Sequence, residues 1–408
     1  MKYAVLIGDG MADDPADSLG GRTPLEYAET PCMDTVIRTG CGGCVETIPE
    51  GCPPGSSVAC MSIFGYDPSV HFSGRGPLEA GGMGIDIGED EFAFRCNLVN
   101  VDHENGIMAD YSSGHISTEE GRRIIQDVER AYTGEHGFNF HPGVGYRHLF
   151  VIKKSKLGHI PECTPPHDIM GKLYRDFLPQ GEGASLLLDV MHRSESLLKD
   201  HPVNTARRSA GKTEANMLWL WSGGVKPGFV TFQDRFGLSG YVISAVDLVR
   251  GIAFFAGVRT MEVPGITGYY DTNYTGKAEY AVKTLKESDI VFVHVEAPDE
   301  ASHNGDMDEK IRAIENFDRL IVGPVHDALG TWGDYRVLVM PDHYTPISTR
   351  THREGPVPAA ICGTGIEQDG AEYFSEKEAA KGALQVVKGY KLIEKLVDGS
   401  GSCSRFGS

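Results

Sequence analysis

The chain has no excess of positive charge, no long uncharged apolar run and only one close pair of cysteines. Among 408 residues, 38 Lys and Arg stand against 57 Asp and Glu, a formal net charge of -19. Nucleic acids and anionic membrane surfaces are bound through clustered Lys and Arg, so no nucleic acid and no membrane is expected as the main partner. The most apolar stretch, residues 241–258, contains Asp247 and Arg250, which argues against a membrane span and predicts a buried or amphipathic helix. Residues 1–10 hold one lysine and a short apolar run ending at Asp9, without the length or cleavage site of a signal peptide. A cytoplasmic location is expected. The nine cysteines are then expected to be reduced thiols, and Cys41-Gly-Gly-Cys44 has no second such pair to complete a four-thiolate zinc site. The Gly/Ser-rich residues 399–408 are expected to form a disordered tail.

A hydrophobic fraction of 40% and a charged fraction of 23% are those of a globular protein, and the length suggests two domains. Three short apolar runs share one pattern. Residues 3–7 precede Gly8-Asp9-Gly10, residues 290–293 precede His294, and residues 337–340 precede Pro341-Asp342-His343. Each reads as a buried parallel strand followed by polar residues, with helices expected over 276–286 and 308–323. The alternation implies an α/β fold with a doubly wound sheet. Ligands of such sheets collect at the carboxyl ends of the strands, where all three polar clusters fall. The core is therefore expected from residues 1–83 and 237–398, with 84–236 as an inserted α/β domain containing strands near 146–152 and 217–221.

The strongest constellation is Asp299-Glu-Ala-Ser-His303, Asp342-His343 and His352. These are ligand types for Zn or Mn, and the four-residue spacing of Asp299 and His303 puts both on one face of a helical turn. Each pair alone has a plainer reading, as a helix cap or a hydrogen-bonded core histidine. Their joint occurrence at strand ends, together with Asp9, points instead to a site for two metal ions, which suits in-line displacement at phosphorus. A nucleophile is offered by Pro53-Pro-Gly-Ser-Ser-Val-Ala59, where Gly55 permits a tight turn and a helix is expected over 58–64. A hydroxyl there lies among free backbone N–H groups that favour phosphate, although either Ser56 or Ser57 could equally be an N-cap.

Gly8-Asp-Gly-Met-Ala-Asp13, Pro54-Gly-Ser-Ser-Val-Ala59, Gly65-Tyr-Asp-Pro68, Gly74-Arg-Gly-Pro-Leu-Glu79, Phe94-Arg-Cys-Asn97, Gly114-His-Ile-Ser-Thr-Glu119 and Asp271-Thr-Asn-Tyr274 occur in order with the metal motifs. This series resembles the archaeal-type cofactor-independent phosphoglycerate mutases, of the alkaline phosphatase superfamily, over nearly the whole chain. The resemblance implies an alkaline-phosphatase-like core and Ser56 as the phosphorylated serine. It further implies one divalent ion (Mn, Zn, Co or Mg) on Asp9, Ser56, Asp342 and His343, and another on Asp299, His303 and His352. His115 is implied as an acid or base, and Arg95, Arg147 and Arg207 as grips for the phosphate or carboxylate of a small phosphorylated substrate. No 2,3-bisphosphoglycerate is required. Ser57 departs from the family, where an acidic residue is common.

The expected reaction moves a phosphoryl group from 3-phosphoglycerate to Ser56 and back to the other hydroxyl of a trapped glycerate, giving 2-phosphoglycerate. Homoserine kinase activity is the alternative, since related bacterial proteins share the metal motifs. The only stretch that suggests a nucleotide loop, Ala210-Gly-Lys-Thr213, has Ala206 where the upstream glycine belongs and no strand before it. The oligomeric state is left open.

Overall fold

The computed structural model describes residues 1–132, 137–384 and 387–398, so the tail expected at 399–408 lies outside the described residues. In chain order the strands are β1 (Lys2–Gly8), β2 (Gly40–Glu46), β3 (Glu91–Asp102), β4 (Ile107–Asp110), β5 (Phe138–His141), β6 (Arg147–Lys153) and β7 (Met217–Gly224). There follow β8 (Gly240–Ile243), β9 (Arg259–Thr260), β10 (Ile290–Val295), β11 (Tyr335–Met340), β12 (Val357–Gly363) and β13 (Val387–Lys388). They fall into two compact units, residues 1–72 with 228 onward, and residues 73–227. The division lies at Ser73 and Pro227 rather than at 84 and 236. The helix Arg75–Gly82 packs its Gly76 backbone against Ala93 of β3, and the Arg75 N–H donates to Ser222 Oγ of β7 at 2.9 Å. At the other end, Phe232 packs edge-on against Phe292 of the core sheet.

The core unit is built on one sheet in the order β13-β2-β12-β11-β1-β10-β8-β9. β1, β8, β9, β10 and β11 run parallel, whereas β12 is antiparallel to both its neighbours, so the doubly wound sheet is mixed. β1 lies at the centre and is buried from Tyr3 onward, which explains its unbroken apolar sequence. Alternate side chains serve opposite faces. Ala4, Leu6, Val291, Val293, Val337 and Val339 join a cluster with Ala278, Phe317, Val325 and Val36, while Phe292 stacks on Phe64 from the other face.

Several expectations shift at element ends. The predicted helix at 276–286 spans Tyr274–Leu285, because Asn273 caps it by accepting from the Gly276 N–H. That at 308–323 divides into Met307–Phe317, a π turn Asp318–Val322 and Gly323–Gly330. The stretch 241–258 is not one helix. It opens as β8, which pairs with β10, and continues as the helix Asp247–Phe255. Among the described residues no helix is long and apolar enough to cross a membrane. Cys41 and Cys44 sit three apart in β2 and so point to opposite faces, which rules out a shared ion.

The middle unit is an antiparallel sheet in the order β4-β3-β6-β5, with β7 also paired to β3. The helices Thr118–Tyr132 and Ala184–Lys199 contribute Ile124, Val128, Leu187 and Met191 to its core, beside Phe94, Phe150 and Trp219.

Candidate metal centre and active site

Strand register brings the chemistry together. Gly8 pairs with Val295 and Ile7 with Met340, so Asp9, Glu296 and Asp342 leave the sheet at one edge. The Asp9 N–H donates to Val295 O at 2.9 Å, continuing the ladder one step further. Ser56 is the first residue of the helix Ser56–Ile63, and its N-cap is Gly55 at φ 144, which is a conformation suited to glycine. Neither serine is therefore an N-cap. Ser57 is buried, whereas Ser56 directs its hydroxyl to the strand ends, with Oγ 3.3 Å from Asp9 Oδ2 and 3.2 Å from His343 Nε2.

Asp9, Asp342 and His343 are fully buried. His343 Nε2 lies 3.3 Å from Asp9 Oδ1 and 3.4 Å from Asp342 Oδ2. Asp342 Oδ1 accepts from the N–H groups of Gly10 and His343, which fixes its plane. Among the described residues Asp9 Oδ1 has no hydrogen-bond partner. Burial, with the charges of Asp342, Asp299 and Glu296, holds the Asp9 carboxyl well above its ordinary range. An orphaned buried carboxylate oxygen beside a second carboxylate, Asp342, and the His343 imidazole is what a cation would satisfy, and the donor set fits one.

A second triangle stands beside the first. Asp299 Oδ2, His303 Nε2 and His352 Nε2 are separated by 3.0, 3.1 and 3.6 Å. An ion with bonds of about 2.1 Å holds adjacent ligands roughly 3 to 3.5 Å apart, so this triangle fits a single ion. His303 Nδ1 lies 2.9 Å from Arg350 O, and a carbonyl only accepts, so the proton sits on Nδ1 and Nε2 is aimed into the triangle. Arg350 has a left-handed φ of 56, a backbone cost borne where its carbonyl orients a ligand. The hydrogen bond to Asp299 raises His303 to about 9. Burial works to raise Asp299, yet His303 and His352 hold it well below the ordinary range.

All seven metal candidates thus lie within these two groups. Three neighbours were not singled out as site residues in the sequence. His294 falls inside β10 rather than after it, and its Nε2 is 3.1 Å from Asp9 Oδ2. Glu296 belongs to the same buried acidic neighbourhood and is held well above its ordinary range by burial first, then Asp299. Cys60 Sγ lies 3.7 Å from Asp342 Oδ2. A polar Val-His-Val-Glu ending to an apolar strand was the available signal.

The middle-unit candidates divide. The Arg95 guanidinium stacks 4.3 Å over the Trp221 ring and pairs with Glu79 at 3.0 Å, while the exposed Arg147 lies over the Tyr146 ring. The positive fields of Arg95 and Arg147 both reach His167, as does that of Arg75, which sequence reading did not nominate. His115 is exposed, on a turn where Ser113, Gly114 and His115 are all left-handed, with φ of 52, 64 and 48. Asp110 holds that turn by accepting from the N–H groups of Ser112 and Gly114, each at 2.7 Å. In place of the free guanidinium expected at Arg207, each of its nitrogens already donates, Nε to Thr213 O, Nη1 to Glu120 and Nη2 to Ser113 O. Burial at 3% exposure left it only internal partners, so it acts as a strut under the His115 turn. Residues 210–213 follow the helix Pro202–Ser209 and form no nucleotide loop.

A profile described as 2,3-bisphosphoglycerate-independent phosphoglycerate mutase matches residues 38–204. The protein of that name from Methanosarcina acetivorans is 49% identical over 399 residues, covering 97% of this chain and 100% of its own. Its namesake from Methanothrix thermoacetophila is 50% identical over 400 residues, covering 98% of this chain and 100% of its own. The solved cofactor-independent phosphoglycerate mutase from Thermoplasma acidophilum superposes with a TM-score of 0.69 at 26% identity, covering 98% of this chain and 100% of that one. The homoserine kinase alternative finds no support among these relatives. With the ordered motifs of the sequence and identity near one half over almost its full length, the chain belongs to the 2,3-bisphosphoglycerate-independent phosphoglycerate mutases.

Proposed function

We propose that the chain interconverts 3-phosphoglycerate and 2-phosphoglycerate through a phosphoserine at Ser56. Two divalent ions, Mn, Zn, Co or Mg, would be held by Asp9, Ser56, Asp342 and His343 and by Asp299, His303 and His352. The observation that carries the reading is the Ser56 hydroxyl, 3.3 Å from Asp9 and 3.2 Å from His343, at the edge of two buried ligand groups, in a chain whose full-length relatives are mutases. Bound ions supply acidification of the serine hydroxyl and stabilisation of charge at phosphorus.

The residues do the rest. Ser56 Oγ attacks the phosphorus of 3-phosphoglycerate as the bond from phosphorus to O3 breaks, and the first-turn N–H groups of its helix face the transferred anion. His115 gives a proton to O3 as it departs. The glycerate turns, O2 returns a proton to His115 and attacks the same phosphorus, and Ser56 Oγ, which attacked as the alkoxide, leaves as the alkoxide, so protons balance over the cycle. Arg75, Arg95 and Arg147 hold the anionic groups of the substrate, a task suited to the planar guanidinium. Neither ATP nor 2,3-bisphosphoglycerate takes part.

Following 3-phosphoglycerate by phosphorus NMR, with Mn restored to metal-stripped protein, tests the reading. The 2-phosphoglycerate resonance is expected to grow without inorganic phosphate. Release of inorganic phosphate at the rate of substrate loss, with no isomer formed, would make the chain a phosphatase instead.

A further inference from the structure

The two ligand groups are joined by one side chain that belongs to neither. Thr345 is fully buried, and its hydroxyl donates to Asp299 Oδ1 at 2.5 Å. A carboxylate oxygen without a proton can only accept, so the Thr345 oxygen is left to accept from His343 Nδ1, 3.1 Å away. That places the His343 proton on Nδ1 and leaves the Nε2 lone pair directed at Ser56, Asp9 and Asp342. The tautomer that one ion site needs is thus set by a hydrogen bond that begins on a ligand of the other.

The Thr345 main chain is held on both sides. Its N–H donates to Ala12 O at 3.2 Å and its carbonyl accepts from Lys310 Nζ at 3.0 Å. Lys310 is fully buried and paired with Asp13 Oδ2 at 2.7 Å. Gly10 makes the close approach feasible, because a Cβ there would lie 2.8 Å from Thr345 Oγ1 and 2.5 Å from Asp299 Oδ1.

We propose that Thr345 is a positioning residue that couples the two ion sites, so that a cation on Asp299, His303 and His352 raises affinity at the site of Asp9, Asp342 and His343. A cation on Asp299 fixes that carboxylate in place as the acceptor of the Thr345 hydroxyl, which holds the His343 ring in register. By linkage the effect is reciprocal. The proposal rests on the two-ion reading above.

Calorimetric titration of the metal-stripped full chain with Mn, paired with direct metal analysis, tests both. The unaltered protein is expected to take up two ions. Thr345→Val should still bind two, with the affinity of one site lowered by about 10- to 100-fold, and Thr345→Ser should restore it. His352→Ala should weaken the remaining site in the Thr345 background and have no further effect in Thr345→Val, the non-additivity that coupling requires. The nitrogen shifts of the His343 ring, read by NMR in the folded variants, should move from the Nδ1–H form only when the hydroxyl is lost. Wild-type affinities at both sites in Thr345→Val, or a Thr345→Ser as weak as Thr345→Val, would overturn the coupling and leave the two-ion reading standing. Uptake of fewer than two ions by the unaltered protein would overturn the two-ion reading and the coupling with it. Should Thr345→Val not fold, Thr345→Ala carries the same test.

Discussion

The two units handle their polar residues in opposite ways. In the core unit the chemical groups are immobilised, with Asp9, Asp342 and His343 fully buried, Asp342 held by two backbone N–H groups and His343 by Thr345. In the middle unit His115 and Arg147 are exposed, and the buried Arg207 is spent on holding the His115 turn. On the proposed reading a metal ligand must keep its place to within a fraction of an ångström, whereas an acid or base that serves a turning substrate must stay accessible.

Ser56→Ala should bring the largest loss and sets the upper end of the contrast. We expect turnover to fall by roughly 10³-fold or more, with the fold unchanged by circular dichroism. A variant retaining most of its rate would move the nucleophile to another residue. His115→Ala, on the middle unit, should cost about 10²-fold or more in kcat, as for a lost acid or base. If the loss appeared only in KM, His115 would be a binding group and the proton would need another carrier.

Arg207→Lys sharpens the comparison from the structural side. The guanidinium joins Glu120, Ser113 and Thr213, and a lysine cannot make all three contacts, so a loss on the order of 3 kcal/mol in unfolding free energy is expected. Unchanged stability with a raised KM would return Arg207 to the substrate-gripping set.

The smallest effects are expected in pH dependence, where the units should differ in sign. Burial pushes Glu376 of the core up to about 7, so its contribution is fully present below the unfolded value and is lost as pH rises through 7. Burial lowers His148 of the middle unit to about 3, so its contribution is present above the unfolded value near 6.5 and is lost as pH falls from there. Glu376→Gln should flatten the alkaline-side loss, worth at most about 3 kcal/mol, and His148→Gln the acidic one, both read by denaturant unfolding across pH. Slopes unchanged by both substitutions would remove the contrast.

Much of the core was legible because its signals are local. An apolar run long enough for a buried strand, followed at once by Asp or His, announces both the strand and the side chain at its end, as at Asp9 and Asp342. The four-residue step from Asp299 to His303 needs only helix geometry, and the helix Ala297–Asn304 supplies it. Thr345 carried no such signal, since a threonine two residues after a ligand is unremarkable until Asp299 is brought beside it. Arg207 was misleading for the same reason, because an arginine reads alike in sequence whether its five donors face water or three parts of the same fold.

The sequence by itself determined the three strands that lead into the candidate site, the nature of the candidate ligands and, through ordered motifs, the family. Only the tertiary structure decided which serine turns to the ligands, which histidine nitrogen is bare and which arginine is already occupied. Strands and helical spacing depend on neighbours along the chain. Orientation, tautomer and occupancy depend on partners such as Arg350 for His303 and Ser113 for Arg207, which lie 47 and 94 positions away and meet only once the sheet register is set.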